Sequence, residues 1–171
     1  MISFNDVENR MSKNYNYMKF LSRAQSYAEL NSTCEKVHVG SMIIPEECLS
    51  MPVYGCNRGL EYSCKNFGCN RVKMYGENSK QHRLPSDCVA IHSEVDAICK
   101  AAMMGIELKN AMIFVTRYPC EACARAIAVS GIKKVVYGRS ESISKMTEDI
   151  FKSAGVETVH VDEWSYYDNN L

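Results

Sequence analysis

Four side chains that could build a reactive metal centre stand in two short segments of the sequence. His92 and Glu94 are two residues apart, and Cys120 and Cys123 are three apart. Residues three apart share a helix face, whereas residues two apart do not. The two thiols can therefore converge on one ion with His92, while Glu94 projects elsewhere. One imidazole and two thiolates give a zinc ion three ligands and leave the fourth tetrahedral position to water.

The sequence around each segment favours this chemistry. Pro119 fits the first turn of a helix, where its missing N–H costs nothing. A helix N-terminus also favours ionised thiols, and the thiolate is the form that binds metal. Glu94 is predicted to hold a water molecule and move its proton instead of acting as a ligand. Zinc lowers the pKa of bound water to about 7, so the site would generate hydroxide at neutral pH.

Simpler interpretations of the same residues explain less. A redox dithiol or a closed zinc site would account for Cys120 and Cys123, and an isolated His92 would more often be a core histidine. None of these accounts for Glu94 or for the placement of His92 two residues before it. The set therefore predicts a catalytic zinc held by His92, Cys120 and Cys123.

Length and composition exclude several classes of protein. A chain of 171 residues predicts one domain, residues 1–171, with a substantial core. Its net charge of zero lacks the basic footprint of a non-specific nucleic-acid binder. The first 16 residues are polar and no apolar run approaches the roughly 20 residues of a membrane span, which predicts a cytoplasmic protein without a membrane partner. Nine cysteines then indicate metal ligation and burial in a reducing compartment.

Apolar periodicity predicts helices and strands that alternate along most of the chain. Helices are predicted over 15–30, 90–104, 119–130 and 143–154, and strands over 37–44, 51–55, 110–116, 133–137 and 156–161. This order predicts an α/β fold, a three-layer α/β/α sandwich with a five-stranded mixed sheet. The first two strands would form a hairpin, and the strands from 110 onward would pair in parallel. Both metal-binding helix starts would then lie at one edge of the sheet. Residues 60–90 are predicted to form a long loop. On the second helix, four residues are predicted to face the sheet: Ala97, Ile98, Ala101 and Ala102.

His92-x-Glu94 followed by Pro119-Cys120-x-x-Cys123 resembles the signature of zinc-dependent nucleoside and nucleotide deaminases. The resemblance covers 34–138, and the segments 55–59 and 130–137 are similar to those of the deoxycytidylate (dCMP) deaminases, especially the phage members. It implies a cytidine deaminase-like fold and hydrolysis of dCMP to dUMP and ammonia, a step towards dTTP. Glu94 would carry the protons.

The resemblance also implies residues that bind the substrate. Asn57 matches an asparagine that contacts the sugar of the nucleotide in that family. The alternative is that Asn57 only tolerates a left-handed turn, as asparagine often does. Arg58 or Lys80 could supply donors to the 5′-phosphate.

A second, structural zinc is implied in the same way, because several related deaminases hold one with ligands from an insertion, here at about 56–90. The candidate ligands are Cys34, Cys64, Cys69, His82 and Cys88. A four-ligand site from this set would close a segment that has little core of its own. Spacing does not select the four, and buried or free thiols are the alternative.

Departures from the family pattern leave other properties open. Asp96 stands where the family usually has asparagine. Lys100 and Met103 stand where the phage relatives carry an aromatic residue and an arginine tied to allosteric assembly. The effectors dCTP and dTTP and a homo-oligomer therefore remain open.

Alternative functions are deamination of a modified cytosine nucleotide, editing of a base in tRNA or single-stranded DNA, and a non-catalytic zinc module.

Overall fold

Five strands form one mixed sheet in the order β2–β1–β3–β4–β5. The computed structural model describes residues 13–47, 50–77, 88–140, 143–162 and 164, with side chains from residue 16. The strands are β1 Gly40–Ile44, β2 Val53–Cys56, β3 Met112–Arg117, β4 Lys134–Arg139 and β5 Glu157–His160. β1 is antiparallel to β2 and β3, whereas β3–β4 and β4–β5 are parallel. The predicted hairpin, the parallel half and the strand count are confirmed.

The helices are α1 Lys13–Asn31, α2 Cys64–Phe67, α3 Asn70–Tyr75, α4 Ser93–Met103, α5 Glu121–Ser130 and α6 Lys145–Ala154. The prediction of a loop throughout 60–90 is wrong over its first part, because α2 and α3 form there. Each is only one or two turns long, too short for apolar periodicity to reveal it. Among the described residues, no helix has the length and apolar character needed to span a membrane.

The core has two layers, one on each face of the sheet, which confirms the predicted sandwich. On one face α4, α5 and α6 bury Ala97, Ala101, Ile127 and Phe151 against the strands. On the other face α1 packs Tyr17, Leu21 and Ala24 around Phe114, with Trp164 beside them. The prediction that Ala102 faces the sheet is wrong, since its side chain is exposed at the margin of the α4 face.

Gly55 in β2 lets α4 approach the sheet unusually closely. A Cβ at this position would collide with the carbonyl oxygen of Ser93 and lie 2.6 Å from the backbone nitrogen of Ala97. Both atoms belong to the backbone of α4, so neither can move aside as a side chain would. The short distance between β2 and the start of α4 therefore depends on the absence of a Cβ atom at Gly55.

Gly55→Ala is expected to destabilise the protein because the added methyl group must push α4 away from the sheet. Overpacking of this kind costs about 1–3 kcal/mol. Urea unfolding followed by circular dichroism measures the loss. A free energy of unfolding equal to that of the wild type would show that α4 can shift without penalty.

Candidate active site

Two helix starts carry the predicted metal ligands. His92 is the N-cap of α4, Cys120 is the N-cap of α5, and Cys123 lies in the first turn of α5. The expectation that Pro119 occupies the first helical turn is wrong, because α5 begins only at Glu121. Proline before the cap still restricts the backbone between β3 and Cys120, because its ring fixes φ.

The three side chains converge to the distances that a metal needs. His92 Nδ1 lies 3.4 Å from the Sγ atoms of both Cys120 and Cys123. Zinc bonds of about 2.0–2.1 Å to nitrogen and 2.3 Å to sulfur, at a tetrahedral angle, separate such atoms by roughly 3.5 Å. Within the described parts of the chain, these three residues form the group of His, Cys, Asp or Glu ligand atoms that could hold a metal ion.

The electrostatics of the cluster favour a negative charge on the sulfur of Cys120 and a retained proton on Cys123. A hydrogen bond from Cys123 and a further one from His92 outweigh burial and lower the pKa of Cys120 to about 3. The pKa of Cys123 is raised, because its thiol shares the proton with Cys120 and is buried. The hydrogen bond to Cys120 also raises the pKa of His92. Thiolate character is what a soft, zinc-type ion requires of its ligands.

Glu94 lies beside this cluster but outside the three-ligand group. Its side chain is only 4% exposed, and one carboxylate oxygen accepts a hydrogen bond from Ser93 Oγ at 3.0 Å. Its carboxylate also reaches the thiol of Cys123. Burial raises the pKa of Glu94 above its ordinary value. A carboxyl group with a raised pKa is suited to exchanging protons near neutral pH.

These groups open onto one cleft of about 330 Å³. The cleft is lined by His92, Glu94 and Cys120, together with Asn57. The volume falls within the range of small-molecule binding sites. The cleft combines apolar walls with a few polar groups, which suits a small aromatic ring carrying polar substituents.

The profile of the MafB19-like deaminase family matches residues 15–165 of this chain. The chain belongs to the MafB19-like deaminase family. This match spans both helix starts of the candidate centre, α4 and α5, and all five strands.

Two phage deoxycytidylate deaminases are similar to this chain. The deoxycytidylate deaminase of Enterobacteria phage T4 is 36% identical over 115 residues, which cover 66% of this chain and 60% of the T4 protein. That of phage T2 is 35% identical over 120 residues, covering 69% of this chain and 64% of the T2 protein. The chain therefore matches less than two thirds of each relative. The resemblance to phage dCMP deaminases is confirmed.

A solved structure with the same architecture is the dCMP deaminase of the cyanophage S-TIM5 in complex with dCMP and dUMP. The TM-score is 0.63 at 21% identity, with 88% of this chain and 98% of that chain covered. The likeness confirms the predicted cytidine deaminase-like fold.

Asn57 is held rigidly in the wall of the cleft. Its Oδ1 accepts hydrogen bonds from Val39 N–H and Ser32 Oγ, each at 2.8 Å, and its Nδ2 donates to the carbonyl oxygen of Val37 at 2.8 Å. The alternative that Asn57 adopts a left-handed turn is wrong. Among the described non-glycine residues, a positive φ occurs at Asn110 and not at Asn57. The amide of Asn57 therefore has a fixed orientation that a sugar could meet.

Four of the candidate thiols lie around the same cleft, three of them from the insertion and one, Cys34, from the segment before β1. Cys34, Cys64, Cys69 and Cys88 all line it. Burial and then the neighbouring thiols raise the pKa of Cys64 to about 11. No three of these four cysteines have their sulfur atoms within 4.8 Å of one another. The ligand atoms of His92, Cys120 and Cys123 do lie within that distance of one another. The fifth candidate, His82, lies outside the described residues.

Three cations in the cleft wall escaped sequence reasoning. The cleft is lined by Lys36, Arg71 and Arg117, whereas Arg58, one of the two predicted phosphate donors, does not line it. Lys80, the other, lies outside the described residues. The position of Arg117 could have signalled its place in the cleft, because it ends a strand three residues before Cys120, at the sheet edge where α/β proteins bind ligands.

Cys123→Ala is expected to lower the zinc content by one ion per chain and to abolish turnover, because two remaining ligands hold zinc too weakly. Inductively coupled plasma mass spectrometry of the purified protein measures the metal. Cys99→Ala, which removes an exposed thiol on α4, is the matched control and should retain both metal and activity. Full zinc content in the Cys123 variant would contradict the assigned ligand set.

Proposed function

We propose that this chain is a zinc-dependent hydrolase that converts dCMP to dUMP and ammonia in pyrimidine deoxynucleotide metabolism. The observation that carries the proposal is the buried Glu94 beside the cluster of His92, Cys120 and Cys123, in a cleft of about 330 Å³. Support also comes from the names of the T4 and T2 relatives and from the ligands of the S-TIM5 structure.

His92, Cys120 and Cys123 would hold the zinc ion, which when bound supplies an acidified water and a Lewis acid. Glu94 takes one proton from the attacking water and delivers it to the ring nitrogen. It then takes the second proton from the same oxygen and delivers it to the departing amine. The carbon–nitrogen bond to the exocyclic amine breaks, a carbon–oxygen bond forms, and ammonia leaves. The burial of Glu94 keeps bulk water from competing for these protons.

Asn57 and Arg117 would bind the two remaining parts of the nucleotide. The fixed amide of Asn57 contacts the sugar, in line with the family resemblance. Arg117 and Lys36 line both this cleft and a second cleft of about 380 Å³, which is also lined by Arg139 and two glutamates. Arg117 and Arg139 are paired side by side at the ends of β3 and β4. This pair of guanidinium groups suits a 5′-phosphate.

A second zinc in the insertion is a further part of the proposal. It is supported by the four cysteines around the cleft, of which Cys64 is buried and Cys34, Cys69 and Cys88 are half-buried. Two zinc ions per wild-type chain, falling to one in Cys123→Ala, would be the expected metal content. The effectors dCTP and dTTP, the homo-oligomer and the cytoplasmic location stay predictions.

Glu94→Ala is expected to keep its zinc and to lose turnover by about 10³-fold, because general acid–base groups contribute 10²–10⁴-fold. Ammonia release from dCMP measures turnover, with zinc content determined on the same sample. Glu107→Ala, which removes an exposed carboxylate beyond α4, is the control. A Glu94 variant with normal turnover would exclude this residue as the proton carrier.

The substrate is tested with the wild type on dCMP, CMP, deoxycytidine, 5-substituted dCMP and a tRNA anticodon stem, with and without dCTP. Turnover of dCMP above the others supports the proposal. A preference for 5-substituted dCMP would point to a modified cytosine nucleotide, and turnover of the tRNA stem alone would point to an editing enzyme.

Arg117→Ala is expected to lower kcat/KM for dCMP by about 10- to 100-fold, the value of a lost hydrogen bond to a charged group. The value for deoxycytidine, which has no phosphate, should stay within a factor of about two of wild type. Arg125→Ala is the matched control, because Arg125 lines a different cleft beside Cys120. Selective loss of dCMP turnover in the Arg125 variant instead would place the phosphate in that other cleft.

A further inference from the structure

Asp96 is a buried carboxylate that receives three hydrogen bonds and forms a further ion-pair contact. It is 2% exposed and lies on α4, two residues beyond Glu94. Its Oδ1 accepts a hydrogen bond from Arg58 Nε at 2.9 Å and lies 2.8 Å from Arg58 Nη2 in an ion pair. Its Oδ2 accepts from the backbone N–H of Cys56 at 3.1 Å and from Lys100 Nζ at 2.6 Å. Both oxygens are thus fully used as acceptors.

The two cations that meet Asp96 are themselves tied to other elements. Lys100 Nζ also donates to Tyr27 Oη on α1 and to the carbonyl oxygen of Tyr54 on β2, each at 3.1 Å. The backbone of Arg58 exchanges two hydrogen bonds with Ile91, at 3.1 and 2.9 Å. Ile91 directly precedes His92, so the partners of Asp96 extend to the start of the metal-binding helix.

The two residues that flank Asn57 are both held by this one carboxylate, Cys56 through its backbone and Arg58 through its side chain. We infer that Asp96, together with Arg58 and Lys100, is a positioning residue that fixes the Asn57 wall of the cleft relative to His92 and Glu94. The inference rests on the proposed function, because it takes Asn57 as the contact to the sugar of dCMP. It also explains why two departures from the common pattern, Asp96 and Lys100, occur together.

The charge on Asp96 is required by its surroundings. Asparagine has the same shape, but it would replace one acceptor oxygen with an NH₂ group facing donors. It would also leave Arg58 and Lys100 close together without a counter-charge. Burial alone would raise the pKa of Asp96, but the hydrogen bonds from Arg58, Lys100 and Cys56 outweigh it and lower that pKa. The carboxylate is therefore ionised at neutral pH, and the asparagine usual in the family does not fit this setting.

Asp96→Asn is expected to raise KM for dCMP by about 10-fold while kcat changes less than about threefold, because a displaced Asn57 loses binding common to the ground state and the transition state. Zinc content should be unchanged. Arg58→Gln should act in the same direction, and the double variant should be no worse than Asp96→Asn, since both changes break the same contact.

Glu157→Gln is the matched control, because it neutralises the carboxylate of the Lys134–Glu157 ion pair at the far edge of the sheet. It should change KM by less than about twofold, as expected for an exposed pair. A purely structural role for Asp96 would lower apparent kcat with the folded fraction and leave KM unchanged. That result, or additive effects in the double variant, would overturn the inference.

Hydrogen exchange separates this inference from the proposed function. Asp96→Asn should speed exchange at the amides of Cys56 and Arg58 and leave the amide of Ala124 in α5 unchanged, whether or not dCMP is the substrate. If the wild type releases no ammonia from dCMP, the proposed function fails while this readout still decides the role of Asp96. Unchanged exchange at Cys56 and Arg58 would overturn it.

Discussion

The site depends on two helix N-termini that meet at one edge of the sheet. Capping positions have extended backbone and free N–H groups beside them, so side chains there sit in a field that favours negative charge. His92 and Cys120 both occupy such positions. The close packing of α4 on Gly55 and the short step from β3 to α5 bring the two starts to ligand distance. This arrangement gives His92, Cys120 and Cys123 the geometry of a candidate metal site, favours a thiolate at Cys120 and buries Glu94.

Much of this arrangement could be read from residue order, because local spacing and element order are sequence properties. The ligand triad, the alternation of strands and helices and the parallel half of the sheet needed no tertiary information. Helix ends were less accessible: Pro119 precedes α5 because Cys120, with its extended backbone, takes the cap. α2 and α3 were missed because helices this short bury too few residues to leave a periodic pattern.

The remaining errors concern contacts between residues far apart in the chain. Arg58 looked like a phosphate donor because it follows Asn57, yet its guanidinium is held by Asp96, 38 residues away. Arg117 and Arg139 become neighbours only through the pairing of β3 with β4. A single sequence contains no record of such pairings. It therefore could not show whether a cationic side chain in a loop lines the cleft or pairs with a buried residue of the fold. The aspartate at position 96, where the family usually has asparagine, indicated that this position is unusual, but it did not reveal that Arg58 and Lys100 are its partners.

The ammonium group of Lys100 has three hydrogens, and Asp96, Tyr27 and Tyr54 accept all three. An anionic regulator approaching the end of α4 would thus find a cation whose bonding capacity is already satisfied. The neighbouring Met103 and Met104 side chains are 88% and 55% exposed. A ligand at this end of the helix would accordingly bind through apolar contact with the flexible thioether side chains and not through charge.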